Sequence, residues 1–234
     1  MITSSMYLAL DFPDWQQTEQ FLITNQLNEV PVKVGMELFY REGAEVIKRL
    51  RDRGHPVFLD IKLHDIPTTI YKAMKNVAKL DVELTNVHSL GGAEMIKAAK
   101  AGLLDGGAGH QTKLLAVTIL TSMTGVMLRE ELRIDEPLAD TVVHLAELSQ
   151  SNGADGVVCS PLEVELIKNQ VGPKFLTVTP GIRLAKDDMN EQKRIATPAK
   201  ARALGADAIV IGRSITQADQ PKQAYLVAEK EWTV

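Results

Sequence analysis

Charged side chains interrupt an otherwise apolar segment at residues 57–63. Asp60 and Lys62 lie two residues apart in this segment, and Asp65 follows shortly after it. If the segment is a strand, Asp60 and Lys62 share one face while apolar side chains occupy the other. Charged residues are rarely buried unless they are paired. The pattern therefore predicts either a structural ion pair on a half-exposed edge strand or an array of catalytic charges.

A second cation, Lys33, interrupts the apolar segment at residues 31–35. Two unit charges about 4 Å apart interact by about 4 kcal/mol at an effective dielectric constant of about 20, so alternating lysines and aspartates keep one another ionised. A substrate carboxylate beside Asp60 would be repelled, whereas a carbanion near Lys62 would be stabilised and then protonated. The array favours loss of CO2 from a carbon atom that Lys62 can protonate.

Short apolar segments alternate with amphipathic segments along all 234 residues. We predict strands at 7–11, 31–35, 57–63, 82–88, 113–120, 156–160, 175–179 and 208–212. The helices are predicted at 14–27, 43–53, 68–80, 93–104, 138–150, 162–170, 199–203 and 222–232. Eight such units without a linker predict an α/β fold, a single (β/α)8 barrel domain spanning residues 1–234. An open sheet is the alternative, but no Gly-x-Gly-x-x-Gly follows the first strand.

Polar residues collect at the carboxyl ends of the predicted strands, which meet at one mouth of a barrel. Asp11 ends the first strand, Asn86 lies near the end of the fourth, and Thr121 and Ser122 follow the fifth. Long connections at 121–137 and 181–197 leave the same mouth, where lids and ligand clamps are found. We expect the polar residues at the strand ends, Asp11, Asn86, Thr121 and Ser122, to lie near the charged array of Lys33, Asp60 and Lys62.

An anion site is predicted after strands seven and eight, the two positions where barrels most often bind phosphate. Arg183 and Arg213 supply forked donors that suit phosphate, and Gly212 permits close approach of the backbone. Gln192 lies in the strand-seven connection and could reach a ligand from there. The alternative is that both arginines are solvated surface residues.

Composition excludes several classes of protein. The formal net charge of −4 argues against a nucleic-acid binder that works by bulk charge. No apolar segment approaches the roughly 18–20 residues that a membrane span needs. The single cysteine, Cys159, excludes an internal disulfide and suits a reducing cytoplasm, and its apolar neighbours indicate packing rather than nucleophilic chemistry. The scattered histidines lack metal-site spacing, and His88, at a strand end, is interpreted as structural.

These motifs resemble those of bacterial orotidine 5′-phosphate decarboxylases, over the whole chain and in the family's order. They are Leu10-Asp11-Phe, Lys33-Val-Gly35, Asp60-Ile-Lys62-Leu-His-Asp65-Ile-Pro-Thr-Thr69, Val87-His-Ser, Leu120-Thr-Ser, Thr179-Pro-Gly-Ile-Arg183, Gln192-Lys-Arg and Ile211-Gly-Arg-Ser-Ile. The resemblance implies a homodimeric (β/α)8 barrel that converts orotidine 5′-phosphate to UMP and CO2 in de novo pyrimidine synthesis. It also implies that no metal or organic cofactor takes part.

The resemblance assigns the charged array to the reacting centre. Lys62 is implied to be the general acid that protonates C6 of the pyrimidine, and Asp60 to lie against the substrate carboxylate. Lys33 is implied to bind the ribose side and to hold Asp60 in place. Asp65 is implied to complete the array from the partner subunit, with Thr69 also reaching across the dimer interface to the ribose.

The resemblance assigns the remaining residues to substrate binding. Asp11 is implied to bind a ribose hydroxyl, and Thr121 and Ser122 to meet the pyrimidine edge, with Pro180 nearby. The phosphate is implied to be held by Arg183, Gln192, Gly212 and Arg213. Leu184 stands where relatives often have proline, which we expect to affect only the stiffness of the strand-seven loop.

Three rival functions stay open at this point. Metal-dependent relatives, the 3-keto-gulonate-6-phosphate decarboxylases and hexulose-phosphate synthases, share Asp-x-Lys-x-x-Asp but place a glutamate where this chain has Lys33. A Schiff-base aldolase would use Lys62 as a nucleophile, which the neighbouring aspartates disfavour because they stabilise its ammonium form. A non-catalytic barrel that binds a phosphorylated ligand would have no need of buried alternating charges.

Overall fold

The computed structural model describes residues 2–108, 111–184 and 194–233, and within them eight parallel strands close into a barrel in chain order. The strands are β1 (Met6–Leu10), β2 (Val32–Gly35), β3 (Val57–Leu63), β4 (Leu84–His88), β5 (Lys113–Val117), β6 (Gly156–Val158), β7 (Leu176–Thr179) and β8 (Ala208–Ile211). The barrel closes where Met6 of β1 pairs with Ile209 of β8. The predicted (β/α)8 architecture is confirmed.

Helices follow the strands and form the outer layer. They are α1 (Trp15–Thr24), α2 (Met36–Glu42), α3 (Ala44–Asp52), α4 (Pro67–Val77), α5 (Gly92–Asp105), α6 (Gly125–Glu130), α7 (Leu138–Ser151), α8 (Val164–Gln170), α9 (Pro198–Ala203), α10 (Arg213–Thr216) and α11 (Pro221–Thr233). None of these helices has the length and apolar character needed to cross a bilayer.

The alternation of side chains along each strand separates two apolar layers. Inward-facing residues such as Tyr7, Phe58 and Leu84 fill the barrel, and the rings of Tyr7 and Phe58 meet edge to face at 5.9 Å. Outward-facing residues such as Leu59 and Ile61 pack against the helices instead. Because Asp60 follows Phe58 by two residues, it shares the inward face and lies above this apolar floor.

Three connections contain short helices where the sequence predicted none: α2 follows β2, α6 follows β5 and α10 follows β8. The chain enters α2 directly after β2, and Gly43 then separates α2 from α3 with a φ of 68°, a left-handed conformation that favours glycine. The long connection after β5 contains α6, whose first turn is capped by the Thr124 hydroxyl, which accepts a hydrogen bond from the Met127 N–H at 3.3 Å. Short helices of this kind carry too few residues to produce a clear apolar period.

The amino-terminal segment is held beneath the barrel by Glu83, which precedes β4. The Glu83 carboxylate accepts hydrogen bonds from the Thr3 N–H, the Thr3 hydroxyl at 2.7 Å, the Ser4 N–H at 3.1 Å and the Tyr7 hydroxyl at 2.8 Å. Burial opposes ionisation of Glu83, but these donors outweigh it and lower the pKa of the carboxyl. The charged form of Glu83 therefore stabilises the folded state.

We expect Glu83→Gln to lower the free energy of unfolding by about 1–3 kcal/mol at pH 7, because a neutral amide accepts fewer and weaker hydrogen bonds. The pKa of Glu83 is lower in the folded protein, so the stabilisation is complete above the unfolded pKa of about 4.3 and is lost at lower pH. Urea unfolding of both proteins across this range measures the difference. Glu94→Gln, at an exposed residue paired with Lys97, is the control. Equal losses for the two variants would contradict the role of Glu83.

Candidate active site

A cavity of about 780 Å³ lies at the mouth formed by the carboxyl ends of the strands. Ten of the thirteen predicted site residues line it: Asp11, Lys33, Asp60, Lys62, Thr121, Ser122, Pro180, Arg183, Gly212 and Arg213. Asp65 and Thr69 do not line the cavity, and both are exposed on the surface of this chain. Gln192 lies outside the described residues. The predicted convergence of strand ends thus brings most of these residues together.

A continuous chain of opposite charges crosses the floor of the cavity. The Lys62 ammonium donates to Asp60 Oδ1 at 2.7 Å, while the Lys33 ammonium lies 3.6 Å from Asp60 Oδ2. Lys33 also donates to Asp11 Oδ1 at 2.8 Å. The side chains of Lys33 and Asp60 are only 10% and 12% exposed, so these charges interact in a largely dehydrated environment. Asp60 is therefore shared by two lysines on opposite sides.

The charged states of this array follow from its geometry. Burial is the largest influence on Asp60 and opposes ionisation, but the two neighbouring lysines together outweigh it and lower the pKa of the carboxyl. Burial likewise opposes the charge on Lys33, and the carboxylates of Asp60 and Asp11 together raise the pKa of the ammonium. Each buried charge is thus stabilised by its opposite, as expected from the alternating sequence pattern.

Asn86, near the end of β4, lies beside Asp60 and Lys62 as its place at a strand end predicted, but the sequence assigned it no role. Its amide donates to Asp60 Oδ1 at 2.7 Å, and its Oδ1 accepts the backbone N–H of Lys62 at 2.7 Å. Lys62 has a φ of 46°, and the pairing of β3 with β4 shifts register between Leu59 and Leu63. A left-handed conformation is unfavourable for lysine, so Asn86 helps to hold the backbone that carries the ammonium. Its polar side chain in an apolar strand was the available signal.

Gly35 ends β2 beside the lysine of the same strand. A Cβ atom on Gly35 would lie 2.9 Å from Lys33 Nζ and 3.0 Å from Asp11 Oδ1. Such distances are shorter than normal contacts, so a side chain at this position would displace the ion pair between Lys33 and Asp11. Glycine suits this position because it lets the charged groups approach closely, and its φ of −88° does not itself call for glycine.

The two predicted phosphate ligands follow β7 and β8 and line the same cavity. Arg183 is buried, and its guanidinium donates to the Ile182 carbonyl at 3.0 Å. Ile182 forms a parallel bridge with Ala196, so both described ends of the strand-seven connection meet here. Arg213 begins α10, next to Gly212, where a Cβ atom would lie 3.3 Å from that of Ala9. The two arginines and the lysine–aspartate chain therefore line one cavity, as a charged ligand with two anionic ends would require.

Cys159 and His88 have environments that suit packing rather than catalysis. Cys159 is 1% exposed, and burial raises the pKa of its thiol to about 12. Burial, followed by the neighbouring His64 and Lys62, lowers the pKa of His88 to about 4, so its imidazole is neutral at pH 7. The rings of His64 and His88 stack at 5.7 Å. Within the described ranges, no three metal-ligating side chains cluster.

We expect Asn86→Asp to destabilise the protein increasingly as the pH rises from about 5 to 8. The new carboxylate would face Asp60, so the pair would share a proton and its upper pKa would be raised above the unfolded value of about 3.9. A raised carboxyl pKa means that the folded state binds protons, and its stability falls as they are lost. Denaturant unfolding at several pH values measures this dependence.

Asn86→Ala is the matched control for charge. It removes both hydrogen bonds and should cost about 1–3 kcal/mol of unfolding free energy at every pH in this range, because no titrating group is added. A pH-independent loss in Asn86→Asp equal to that of Asn86→Ala would contradict the close contact between the amide and Asp60.

Comparison with known proteins identifies relatives over nearly the full length of the chain. Residues 4–227 match the family described as orotidine 5′-phosphate decarboxylase / HUMPS. Orotidine 5′-phosphate decarboxylases from Bacillus cytotoxicus and Bacillus mycoides are each 49% identical over 233 residues, covering 99% of this chain and 98% of the relative.

Two solved structures have the same fold as this chain over nearly its full length. A crystal structure of orotidine 5′-phosphate decarboxylase from Lactobacillus acidophilus superimposes with a TM-score of 0.86 at 45% identity and covers 99% of both chains. An uncharacterized conserved protein from Geobacillus kaustophilus gives a TM-score of 0.85 at 45% identity, covering 97% of this chain and all of the other. The family resemblance noted in the sequence is confirmed: the chain belongs to the orotidine 5′-phosphate decarboxylase / HUMPS family.

Proposed function

We propose that this chain is an orotidine 5′-phosphate decarboxylase, which converts orotidine 5′-phosphate to UMP and CO2 in pyrimidine biosynthesis. The observation that carries the proposal is the sharing of Asp60 between Lys33 and Lys62 on the floor of a cavity that Arg183 and Arg213 also line. The names of relatives at 49% identity support the same activity. The product contributes to the supply of pyrimidine nucleotides.

The cavity offers a complementary group for each part of the substrate. Arg183 and Arg213 suit the phosphate because guanidinium groups bind its oxygens with paired donors. Asp11 and Lys33 would contact ribose hydroxyls, and Thr121 and Ser122 would meet the polar edge of the pyrimidine. Anchoring the phosphate far from the reacting carbon lets binding energy hold the substrate carboxylate against the carboxylate of Asp60. A nucleotide bound in the reverse orientation would place neither its phosphate beside the arginines nor its carboxylate beside Asp60.

The chemical step requires one bond cleavage and one proton transfer. The bond between C6 and the carboxylate carbon breaks, CO2 leaves, and the electron pair remains on C6. Loss of CO2 removes the repulsion with Asp60, while the Lys62 ammonium stabilises the carbanion and then donates a proton to C6. Lys62 regains its proton from solvent after UMP leaves. Lys33, held between Asp11 and Asp60, keeps Asp60 ionised and in place.

The position of Lys33 favours a metal-independent reaction over that of the metal-dependent relatives. Those relatives need a carboxylate on strand two, whereas here an ammonium lies 2.8 Å from Asp11 and 3.6 Å from Asp60. A cation already occupies the space between these carboxylates, so a divalent ion there would be repelled. We propose that Mg²⁺ is not used and that no organic cofactor is needed.

We further propose a homodimer in which Asp65 and Thr69 serve the partner's cavity. Residues 64–69 are all exposed, and the Asp65 carboxylate accepts only the adjacent Ile66 N–H, at 2.6 Å, among its hydrogen bonds within the described chain. Large exposed apolar side chains follow the same neighbouring strands: Met36, Tyr40, Ile66 and Leu90. Large exposed apolar side chains at neighbouring strand ends are typical of a subunit interface. The fourth charge of the array would then come from the second subunit.

The proposed reaction predicts that the purified protein decarboxylates orotidine 5′-phosphate in the presence of EDTA. Lys62→Ala should reduce kcat by at least about 1000-fold, because it removes both the proton donor and the charge next to the carbanion. Loss of the substrate's ultraviolet absorbance measures turnover. Lys97→Ala, at an exposed lysine of α5, should retain wild-type activity. A folded wild-type protein that turns over the substrate only with added Mg²⁺ would overturn the metal-independent mechanism.

A shared active site predicts complementation between two inactive variants. Lys62→Ala and Asp65→Ala chains are each expected to be nearly inactive, but a mixed dimer would contain one cavity with both residues intact. At full chain exchange, about half of the dimers in an equal mixture are hybrids, so about a quarter of the cavities should be active. Differently tagged chains establish exchange, and the same absorbance assay follows activity. Complete exchange without recovered activity would exclude the shared site.

A further inference from the structure

A largely shielded guanidinium connects three strand exits beside the cavity. Arg194 lies between β7 and α9, and its Nη2 donates to the carbonyl of Leu120 at 2.8 Å and to that of Ile119 at 3.2 Å. Both carbonyls belong to the segment that leaves β5. The same guanidinium pairs with the carboxylate of Glu163, which follows β6. Its side chain is only 13% exposed, so the group does not serve as a solvated surface charge.

Each contact of Arg194 leads to a part of the cavity wall. The Leu120 carbonyl also accepts the Met123 N–H at 2.9 Å, closing the turn that contains Thr121 and Ser122. Glu163 is 7% exposed at its side chain and accepts the Ser160 N–H at 2.9 Å, next to Cys159 in the wall. The turn after β5 is thus held both by its own hydrogen bond and by the guanidinium.

The backbone around Arg194 leads to another part of the cavity wall, the segment that contains Gly181 and Arg183. Two residues further on, the Ala196 carbonyl accepts the Arg183 N–H at 3.0 Å, and the Ala196 N–H donates to the Gly181 carbonyl at 3.2 Å. Both Gly181 and Arg183 line the cavity. The side chain of Arg194 is therefore tied to the turn proposed to meet the base, and the backbone two residues further on is tied to the segment proposed to hold the phosphate.

We infer that Arg194 is a positioning residue that sets the span between the base-binding and phosphate-binding ends of the cavity. This inference rests on the proposed function, since it concerns the same nucleotide. Arginine suits the role because its planar, forked donors reach a carboxylate and two carbonyls at once, whereas a lysine ammonium is a single point. A nucleotide bound at both ends is sensitive to this span, because small misplacements of the reacting atoms lower the rate strongly.

We expect Arg194→Lys to lower kcat/KM by about 10- to 100-fold. Lysine keeps the positive charge opposite Glu163 but cannot also hold the two carbonyls. Arg129→Lys makes the same chemical change at an exposed arginine of α6, in the connection after β5, and should stay within about twofold of wild type, as surface substitutions usually do. Arg194→Lys activity within about twofold of wild type would overturn the inference.

A second variant separates positioning from stability. Arg194→Met combined with Glu163→Gln leaves no buried unpaired charge and keeps an acceptor for the Ser160 N–H, so its melting temperature should stay close to that of wild type. A positioning role predicts that kcat/KM remains reduced by about 10-fold or more in this stable double variant. Recovery of activity together with stability would show that Arg194 is merely structural.

Coupling to the base-binding turn gives the most specific readout. If Arg194 acts through this turn, the losses in Arg194→Lys and Ser122→Ala should combine to less than their product, since both disturb one contact with the substrate. Fully multiplicative losses would contradict the inference. The Met123 N–H should also exchange with solvent faster in Arg194→Lys, which tests the contact between the guanidinium and this turn without any assay of activity. A wild-type protein without decarboxylase activity would refute the proposed function. Unchanged hydrogen exchange at Met123 in Arg194→Lys would refute the inference that Arg194 holds the turn after β5.

Discussion

The structure depends on keeping one carboxylate charged in a place where water is largely excluded. Asp60 lies on the inner face of the barrel above Phe58, where an isolated charge would be very unfavourable. Two ammonium groups, on its own strand and on the neighbouring one, make the charge tenable. A closed parallel barrel provides this arrangement because adjacent strands bring their carboxyl ends together, and the register pairs Gly35 of β2 directly with Asp60 of β3.

The eight-unit architecture could be predicted from the sequence because each strand reads as a short apolar segment and each long helix as an amphipathic one. The charges of the cavity were equally visible, since Lys33, Asp60 and Lys62 interrupt segments that should otherwise be apolar. Convergence at one mouth followed from the topology alone. These features are local in sequence or follow from a fold with few alternatives, so periodicity and residue type are sufficient to find them.

Features that depend on a distant partner could not be predicted in the same way. The left-handed backbone of Lys62 is held in part by the amide of Asn86, 24 residues away on another strand, and the residues next to Lys62 in sequence do not indicate this contact. The role inferred for Arg194 likewise depends on hydrogen bonds to carbonyls more than seventy residues earlier in the chain. The predicted roles of Asp65 and Thr69 involve a second subunit, and that of Gln192 a residue outside the described ranges, so these remain predictions.

Gly35 constrains how this cavity can change during evolution. While Lys33 and Asp11 form their ion pair, any side chain at position 35 would have to push both charged groups aside, so substitution there disfavours the pair. A shorter residue at position 33 would remove the obstacle but would also leave Asp60 with one lysine fewer. A lineage that exchanges the strand-two lysine for another chemistry would therefore remove one partner of Asp60 and, at the same time, open position 35 to larger residues. Such coupled positions tend to preserve ancestral chemistry even where the rest of the barrel surface diverges freely.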